Sequence, residues 1–446
     1  MNRTMSVFLR NFLLVLCLIP FAGLRAQAQE VPVQRAGTVI DPALQEREGP
    51  LAGTTEVLSE KVLYSFAGEP DGASPVAPLV RDSSGNLYGT TYYGGASNLG
   101  AVFKLDTTGT ETVLYSFPGG VDGERPSAGL VRDAAGNLYG TTDSGGNTAC
   151  ANGCGVVYEL SATGTYSVLH SFAGYPTDGA LPRGLIRDSQ GNLYGGTYQG
   201  GDVTGNCGKL GCGVIFELNK AGTETILYNL QGYPVDGSGP EGVLTTDASG
   251  NFYGLASSGG TVCKTCGAVY ELDTAGKETV LYSFSGKSDG SVPHGGLVLD
   301  SSDNLYGTTY SGGSFSGSLC STSGCGVVFE VTPSGTETVL YTFTGGADGA
   351  NPRAYVLRDP SGNLYGTTFN GGSFSGSQCS TSGCGVVFRV APAGKEIVLH
   401  TFAGSDGANP RAGLVGNPLG NVYGTTEHGG ADSKGTVFEV ILKPAE

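Results

Sequence analysis

The chain has no tryptophan, only two methionines and only four histidines. Charged residues make up 14% of it, well below the usual quarter or so. Without tryptophan, a platform for stacking carbohydrate lacks its best residue. No long stretch carries an apolar period of 3.6 residues, so helices should be few. Neither His-Glu-x-x-His nor a phosphate loop is present, which removes the usual signatures of zinc peptidases and nucleotide-binding enzymes. The few charges lean one way, to a formal net charge of −16. So acidic a chain repels nucleic acid and anionic lipid, and neither is expected as a partner.

What abounds is glycine, 77 of 446 residues, beside frequent Val, Leu, Tyr, Phe and Thr. That mixture belongs to many short strands joined by tight turns. Residues 1–28 read as a secretory signal. Arg3 and Arg10 are followed by an apolar run from Phe12 to Leu24 and a small-x-small cleavage site at Ala26-Gln27-Ala28. The apolar run is short for a membrane span, so no membrane insertion is expected after cleavage. Cleavage removes three arginines and no acid, which takes the formal charge from −16 to −19. Residues 29–57 have Pro, Gly and Gln but no period, and read as a flexible leader. Of the eleven cysteines, Cys17 leaves with the signal. The other ten form five close pairs: Cys150/Cys154, Cys207/Cys212, Cys263/Cys266, Cys320/Cys325 and Cys379/Cys384. An even count in an exported chain argues for disulfides. The metal alternative is weaker, because Cys263 and Cys266 offer only two of four zinc ligands.

Self-similarity dominates residues 58–446. Asn-Leu-Tyr-Gly or a close variant ends at Gly89, Gly140, Gly195, Gly254, Gly307, Gly366 and Gly424, seven copies 51 to 59 residues apart. One copy shows the unit. Gly129 to Arg132 is a short strand a, and Asp133 to Asn137 is a hairpin turn. Leu138 to Thr142 is strand b, followed by a longer loop holding a Cys pair. Val156 to Leu160 is strand c and Thr165 to Phe172 strand d. Seven such units predict an all-β, seven-bladed β-propeller with four antiparallel strands per blade. A β-solenoid is the alternative, but its repeats are usually shorter. The ends are offset. A lone strand d, Lys61 to Phe66, precedes the first strand a, and none follows the last strand c, Thr436 to Leu442. The N-terminal strand is therefore expected to complete the seventh blade and close the ring, leaving no exposed sheet edge.

The run Gly-Leu-Val-Arg-Asp-x-x-Gly-Asn-Leu-Tyr-Gly-Thr-Thr, then Gly-Gly, then Gly-Val-Val-Phe-Glu-Leu, resembles the GloVer tandem repeats of exported bacterial proteins with a choice of anchor. The resemblance covers about residues 60–441. The order of turns and strands is also similar to NHL-type propeller repeats. The resemblance implies export and repetition but no particular activity. It also implies a C-terminal anchoring segment, which the ending Leu442-Lys443-Pro444-Ala445-Glu446 does not resemble. A secreted or periplasmic location is therefore expected alongside the cell surface.

Chain direction sorts the connections. The b–c and d–a loops share one face, and the a–b and c–d turns share the other. The first face carries the variable, Cys-bearing loops, where function tends to sit. Asp-Gly-x-x-Pro recurs there, beginning at Asp71, Asp122, Asp178, Asp236, Asp289, Asp348 and Asp406. Seven carboxylates suit calcium. Turn chemistry explains an Asp repeated in every unit better, and no cofactor is expected. The residue after that Pro varies: Val76, Ser127, Arg183, Glu241, His294, Arg353 and Arg411. Three Arg and a His beside a Glu suit a carboxylate or phosphate. Solvated strand ends are the plain alternative. The third unit is one residue shorter between Pro182 and Asp188, which leaves the register of Arg183 open. His170 and His400 replace the Tyr of strand d and read as packing residues. His428 could face the loops, and Tyr92, Tyr93, Phe315 and Phe374 could stack on a sugar. The leading expectation is a binding or interaction scaffold for a protein or carbohydrate, with no catalytic residue assigned. One alternative is a propeller enzyme on an anionic sugar or lactone, using Arg353, Arg411, His294 and Glu241. The other is a structural surface component.

Overall fold

The computed structural model describes residues 57–442, apart from 203–204, 317–318, 376–377 and 380. The signal and the leader up to residue 56 lie outside the described residues, as do residues 443–446.

Each repeat forms antiparallel strands in the order a-b-c-d. In the second repeat they are Val131–Arg132, Leu138–Thr142, Val156–Leu160 and Tyr166–Ser171. Strands b and c are the buried ones, and the central aromatic of strand c is the keystone of the unit. Tyr158 is fully buried and lies opposite Gly140 of strand b. A Cβ on Gly140 would sit 2.5 Å from the Tyr158 hydroxyl, and one on Gly307 would sit 2.7 Å from the Phe329 ring. The glycine of Asn-Leu-Tyr-Gly is thus a seat for the neighbouring strand's ring. The a–b turn is held by its Asp. Asp133 accepts the Asn137 backbone N–H at 2.9 Å, the Asn137 amide at 3.0 Å and the Tyr139 hydroxyl at 3.2 Å.

Hydrogen bonding joins the strands into six sheets, because the fourth and fifth repeats share one sheet of eight. A single parallel pair, Val243 opposite Gly296, makes that link. In the sixth repeat strand a is broken into Ala350–Pro352 and Leu357–Arg358. The free N-terminal strand is Val57–Ser65, longer than expected, and it pairs antiparallel with Thr436–Leu442 of the last repeat.

The core lies between repeats rather than within one sheet. Seven apolar clusters form, each drawing on two successive repeats. One of them joins Phe66, Leu79 and Phe103 at the start of the chain to Val415 and Val437 near its end.

Asp-Gly-x-x-Pro supplies a second link. The residue before its Pro has φ between 53° and 64° in every copy: Ser74, Arg125, Leu181, Gly239, Val292, Asn351 and Asn409. That left-handed turn aims its N–H at a carbonyl of the preceding repeat. Leu181 donates to Cys154 at 2.9 Å, Val292 to Cys266 at 2.8 Å, and Ser74 to Lys434 at 2.8 Å. The Pro then packs on a glycine of that same loop. A Cβ on Gly155 would meet Pro182 Cδ at 2.5 Å, and one on Gly435 would meet Pro75 Cδ at 2.6 Å. The last repeat therefore grips the first as each repeat grips the next.

Candidate functional site

In five of the seven junctions the loop that accepts this N–H is a stapled one; in the other two the acceptors are Leu99 and Lys434. All five cysteine pairs are disulfides, with Cα–Cα distances of 4.9–5.4 Å. The carbonyl of the second Cys receives the bond at Cys154, Cys212, Cys266, Cys325 and Cys384. Each staple thus sits beside the contact that positions the next Pro, and the Pro in turn positions the variable residue after it.

Those variable residues converge. Val76, Ser127, Arg183, Glu241, His294, Arg353 and Arg411 line one cavity of about 120 Å³. Tyr355 helps line it and is 8% exposed, and a Cβ on Gly413 would strike its ring at 2.5 Å. The shortened third repeat is also resolved. Thr141 donates to the Arg183 carbonyl at 2.9 Å, whereas Thr308 donates to Ala354 O, the second residue after its Pro. Arg183 is therefore one step out of register along the backbone, yet its side chain reaches the same cavity.

The site is not a bare cationic ring. Arg183 Nη1 lies 3.0 Å from Asp143 Oδ1, and its Nε lies 3.7 Å from Glu241 Oε2. His294 Nδ1 is 3.8 Å from the same Glu241 oxygen. Ser127 donates to Asp143 at 2.5 Å. Burial favours the neutral acid at Glu241, but His294, Arg183 and Arg411 outweigh it and hold its pKa below the ordinary value. Burial opposes the charge on Arg183 as well, and Glu241 and Asp143 more than compensate. Arg411 is 43% exposed and makes only a loose contact with Glu427, 3.9 Å. Arg353 has no carboxylate within 4 Å among the described residues. Its guanidinium carbon lies 4.6 Å from the Tyr310 ring centre and 4.5 Å from that of Phe369. Arg353 is thus the cavity arginine without an ion pair among the described residues, and Arg411 of the next repeat lines the same cavity.

Sequence reasoning missed the partners of these cavity side chains. Asp143, Tyr198, Tyr310, Phe369 and Glu427 each stand directly after the second Thr of Gly-Thr-Thr or its variant, just past the end of strand b for Asp143 and Glu427 and within its last residues for the other three. That position varies inside a constant frame, the same signal that marked the residue after Pro. Tyr355 also carried a signal, since the second, fifth and seventh repeats have Gly129, Gly296 and Gly413 in its place.

The other candidates resolve separately. The Asp-Gly carboxylates cap their own turns: Asp289 accepts the Ser285 N–H at 2.6 Å, the Lys287 N–H at 3.2 Å and the Tyr282 hydroxyl at 3.1 Å. His170 and His400 take the place of that Tyr and face Asp178 and Asp406 at 3.5 Å and 3.0 Å. His428 is 50% exposed at the loop face. Gly286-Lys287-Ser288-Asp289-Gly290 has the spacing Gly-x-Ser-x-Gly. It lies in a d–a turn with Ser288 exposed and a strand after it, so it is no nucleophile elbow. No helix among the described residues is long and apolar enough to cross a membrane.

These features define a class, an all-β repeat protein of propeller-like build with disulfide-stapled loops. The Gloeobacter/Verrucomicrobia repeat matches residues 50–210, 151–320 and 316–445, and the chain belongs to that family. No curated protein sequence matches it. Among solved structures it is similar to the extracellular domain of a one-component system from B. thetaiotaomicron. Identity is 10% and the TM-score 0.51, over 86% of this chain and 40% of that one. The chain thus spans two fifths of that structure's length, and the likeness concerns the fold alone. A gluconolactonase from Xanthomonas campestris aligns over 87% of this chain and 95% of its own, at 12% identity and a TM-score of 0.40.

Proposed function

We propose that the chain is a seven-bladed β-propeller, closed by its N-terminal strand, and that it acts as an exported binding scaffold. Its partner would dock on the face of the stapled loops. Closure is supported by the cyclic Pro–Gly contacts, which run from Pro182 on Gly155 round to Pro75 on Gly435. The eight-stranded sheet is then two blades touching at one residue pair. The disulfides support an oxidising compartment, periplasmic or outside the cell.

One observation carries the binding role. Among the described residues, ten large apolar side chains are exposed, and nine of them lie on the loop face; only Leu419 lies on the other. Tyr93, Phe315 and Phe374 belong to b–c loops, and Val121, Tyr175 and Tyr233 to d–a loops. An apolar rim around a polar centre is the usual anatomy of an interface turned inside out, with an anion seat at Arg353 and Arg411. The test is a thermal-shift panel of sugar acids, dicarboxylates and neutral sugars on the disulfide-intact protein. A ligand at ~100 times its Kd adds about 2.7 kcal/mol. The reading expects a shift with one carboxylate class that disappears in Arg353→Ala/Arg411→Ala. A flat panel, or a shift that survives the double substitution, refutes the seat.

A second reading, an enzyme on an anionic sugar or lactone, draws on one observation. Glu241 is kept ionised beside His294 in the same cavity, as a general base requires. Lactone turnover abolished by Glu241→Gln with binding retained would favour it.

A further inference from the structure

On the outer side of the repeats the same arrangement recurs at junction after junction. The aromatic of strand d stands edge-on to a buried Phe and donates to the Asp of Asp-Gly. A Glu opening strand d of the next repeat lies beside that Asp. Tyr341, Phe343, Asp348 and Glu396 show the pattern, with rings 5.2 Å apart and the Tyr hydroxyl 3.1 Å from Asp348. At two junctions the strand d aromatic itself is exchanged. His170 and His400 replace the Tyr, and each stands edge-on to its own Phe, 4.7 Å from Phe172 and Phe402. Imidazole is shorter than phenol, so it opens a gap and turns its Nε2 towards it. His170 Nε2 lies 3.5 Å from Asp178 Oδ2 and 3.7 Å from Glu224 Oε2. Both are too long for a good hydrogen bond, and His170 Nε2 and Glu224 Oε1 are buried without any hydrogen-bond partner. The ligand edge of a tetrahedral site with bonds of 2.0–2.1 Å is about 3.4 Å. The second cluster, Glu60, His400 and Asp406, is tighter at its His–Asp edge, 3.0 Å. In both clusters the ligand atoms lie within 4.8 Å of one another.

We propose that His170–Asp178–Glu224 and Glu60–His400–Asp406 are two equivalent sites for a borderline divalent cation of the zinc type, each completed by water. One imidazole with two carboxylates suits zinc better than calcium, which takes six or more oxygens. Each site ties two successive repeats together. The second also clamps the N-terminal strand Val57–Ser65 through Glu60, on the element that joins the chain's ends.

The protein supplies its own control, because His→Tyr recreates the junction found at Tyr341. The experiment is zinc titration by calorimetry, with metal counting by mass spectrometry, on disulfide-intact protein carrying no polyhistidine tag. The proposal expects two equivalents in the wild type, one in His170→Tyr or His400→Tyr, and none in the double variant. It also expects chelation to speed amide exchange in Val57–Ser65 of the wild type but not of His400→Tyr. Fewer than one equivalent in the wild type overturns it, and so does binding that persists in the double variant. If a Tyr variant fails to fold, Glu224→Gln and Glu60→Gln carry the same stoichiometric test.

Discussion

The junction carboxylates make stability fall as the pH is raised from the acid range to neutrality, and the effect is large enough to measure. Glu111, Glu337 and Glu396 each open a strand d, and each has a buried Oε1 without a hydrogen-bond partner. Burial, and then the charge of Asp71, Asp289 or Asp348, pushes each from the ordinary 4.5 to about 7. The native state therefore holds these protons to higher pH than the unfolded chain does. Between the two values the unfolded chain binds fewer protons, so stability falls as pH rises and the loss is complete above pH 7. The full shift corresponds to about 3 kcal/mol per site. Screening at these half-buried positions reduces it to about 1 kcal/mol. The triple variant Glu111→Gln/Glu337→Gln/Glu396→Gln keeps the shape and removes the charge. Its three sites lie in separate junctions and should add, giving about 3 kcal/mol at pH 8. For a fold of this size the unfolding entropy is about 0.8 kcal/mol per degree, so Tm should rise by about 4 °C. At pH 5, just above the unfolded value of 4.5, only about a quarter of that loss has accrued, so the gain should shrink to about 1 °C. Calorimetry at both pH values decides. An equal shift at pH 5 and pH 8, or a loss at pH 8, would refute the reasoning.

Two further outcomes follow from the latches between repeats. Cys320→Ser/Cys325→Ser should lose about 2 kcal/mol. It should also speed exchange of the Asn351 amide, which donates to Cys325 O at 2.8 Å; unchanged protection there would disconnect the staple from the latch. Phe66→Ala empties a fully buried site whose ring lies 5.1 Å from Phe103, so it should cost about 3–5 kcal/mol. A loss near zero in chemical denaturation would mean that the N-terminal strand does not complete the fold.

Much of this was legible because repetition averages out local ambiguity. Seven copies of one turn–strand pattern located the centres of the strands, though strand a runs longer in the third to fifth repeats, as Gly179–Arg187, Gly237–Thr246 and Ser291–Leu299, and the offset ends foretold the pairing of Val57–Ser65 with Thr436–Leu442. The shared sheet was not legible. It depends on one backbone pair, Val243 with Gly296, and no side-chain pattern encodes so local a contact. At the site, the variable residue after each Pro was found because the motif around it is constant. Its charge balance was not legible, because the partners of those side chains come from other strands. Arg183, whose register the sequence left open, meets Asp143, which lies 40 positions away. The histidines of strand d read as packing residues because spacing alone does not reveal that Glu224 and Glu60 come from the next repeat.

The constant frame and the variable cavity are separable, and adjacent residues should prove it. Pro410 packs on Gly385, whose φ is +85°; a Cβ there would lie 2.1 Å from Thr368 O and 2.8 Å from Pro410 Cδ. Gly385→Ala has no room to relax against backbone, and strain with lost packing should cost at least about 2 kcal/mol. Arg411 directly follows that Pro. It is half in solvent, with one ion contact of 3.9 Å. Arg411→Ser, which copies the residue at Ser127, should stay within about 0.5 kcal/mol of wild type. The backbone at this point is held by the Asn409 N–H to Cys384 O bond at 2.7 Å, which is indifferent to the side chain after it. That indifference is what lets the seven cavity positions differ so widely while the frame stays the same. If Arg411→Ser destabilised as much as Gly385→Ala, the cavity residues would be structural, and their variation would no longer point to a ligand.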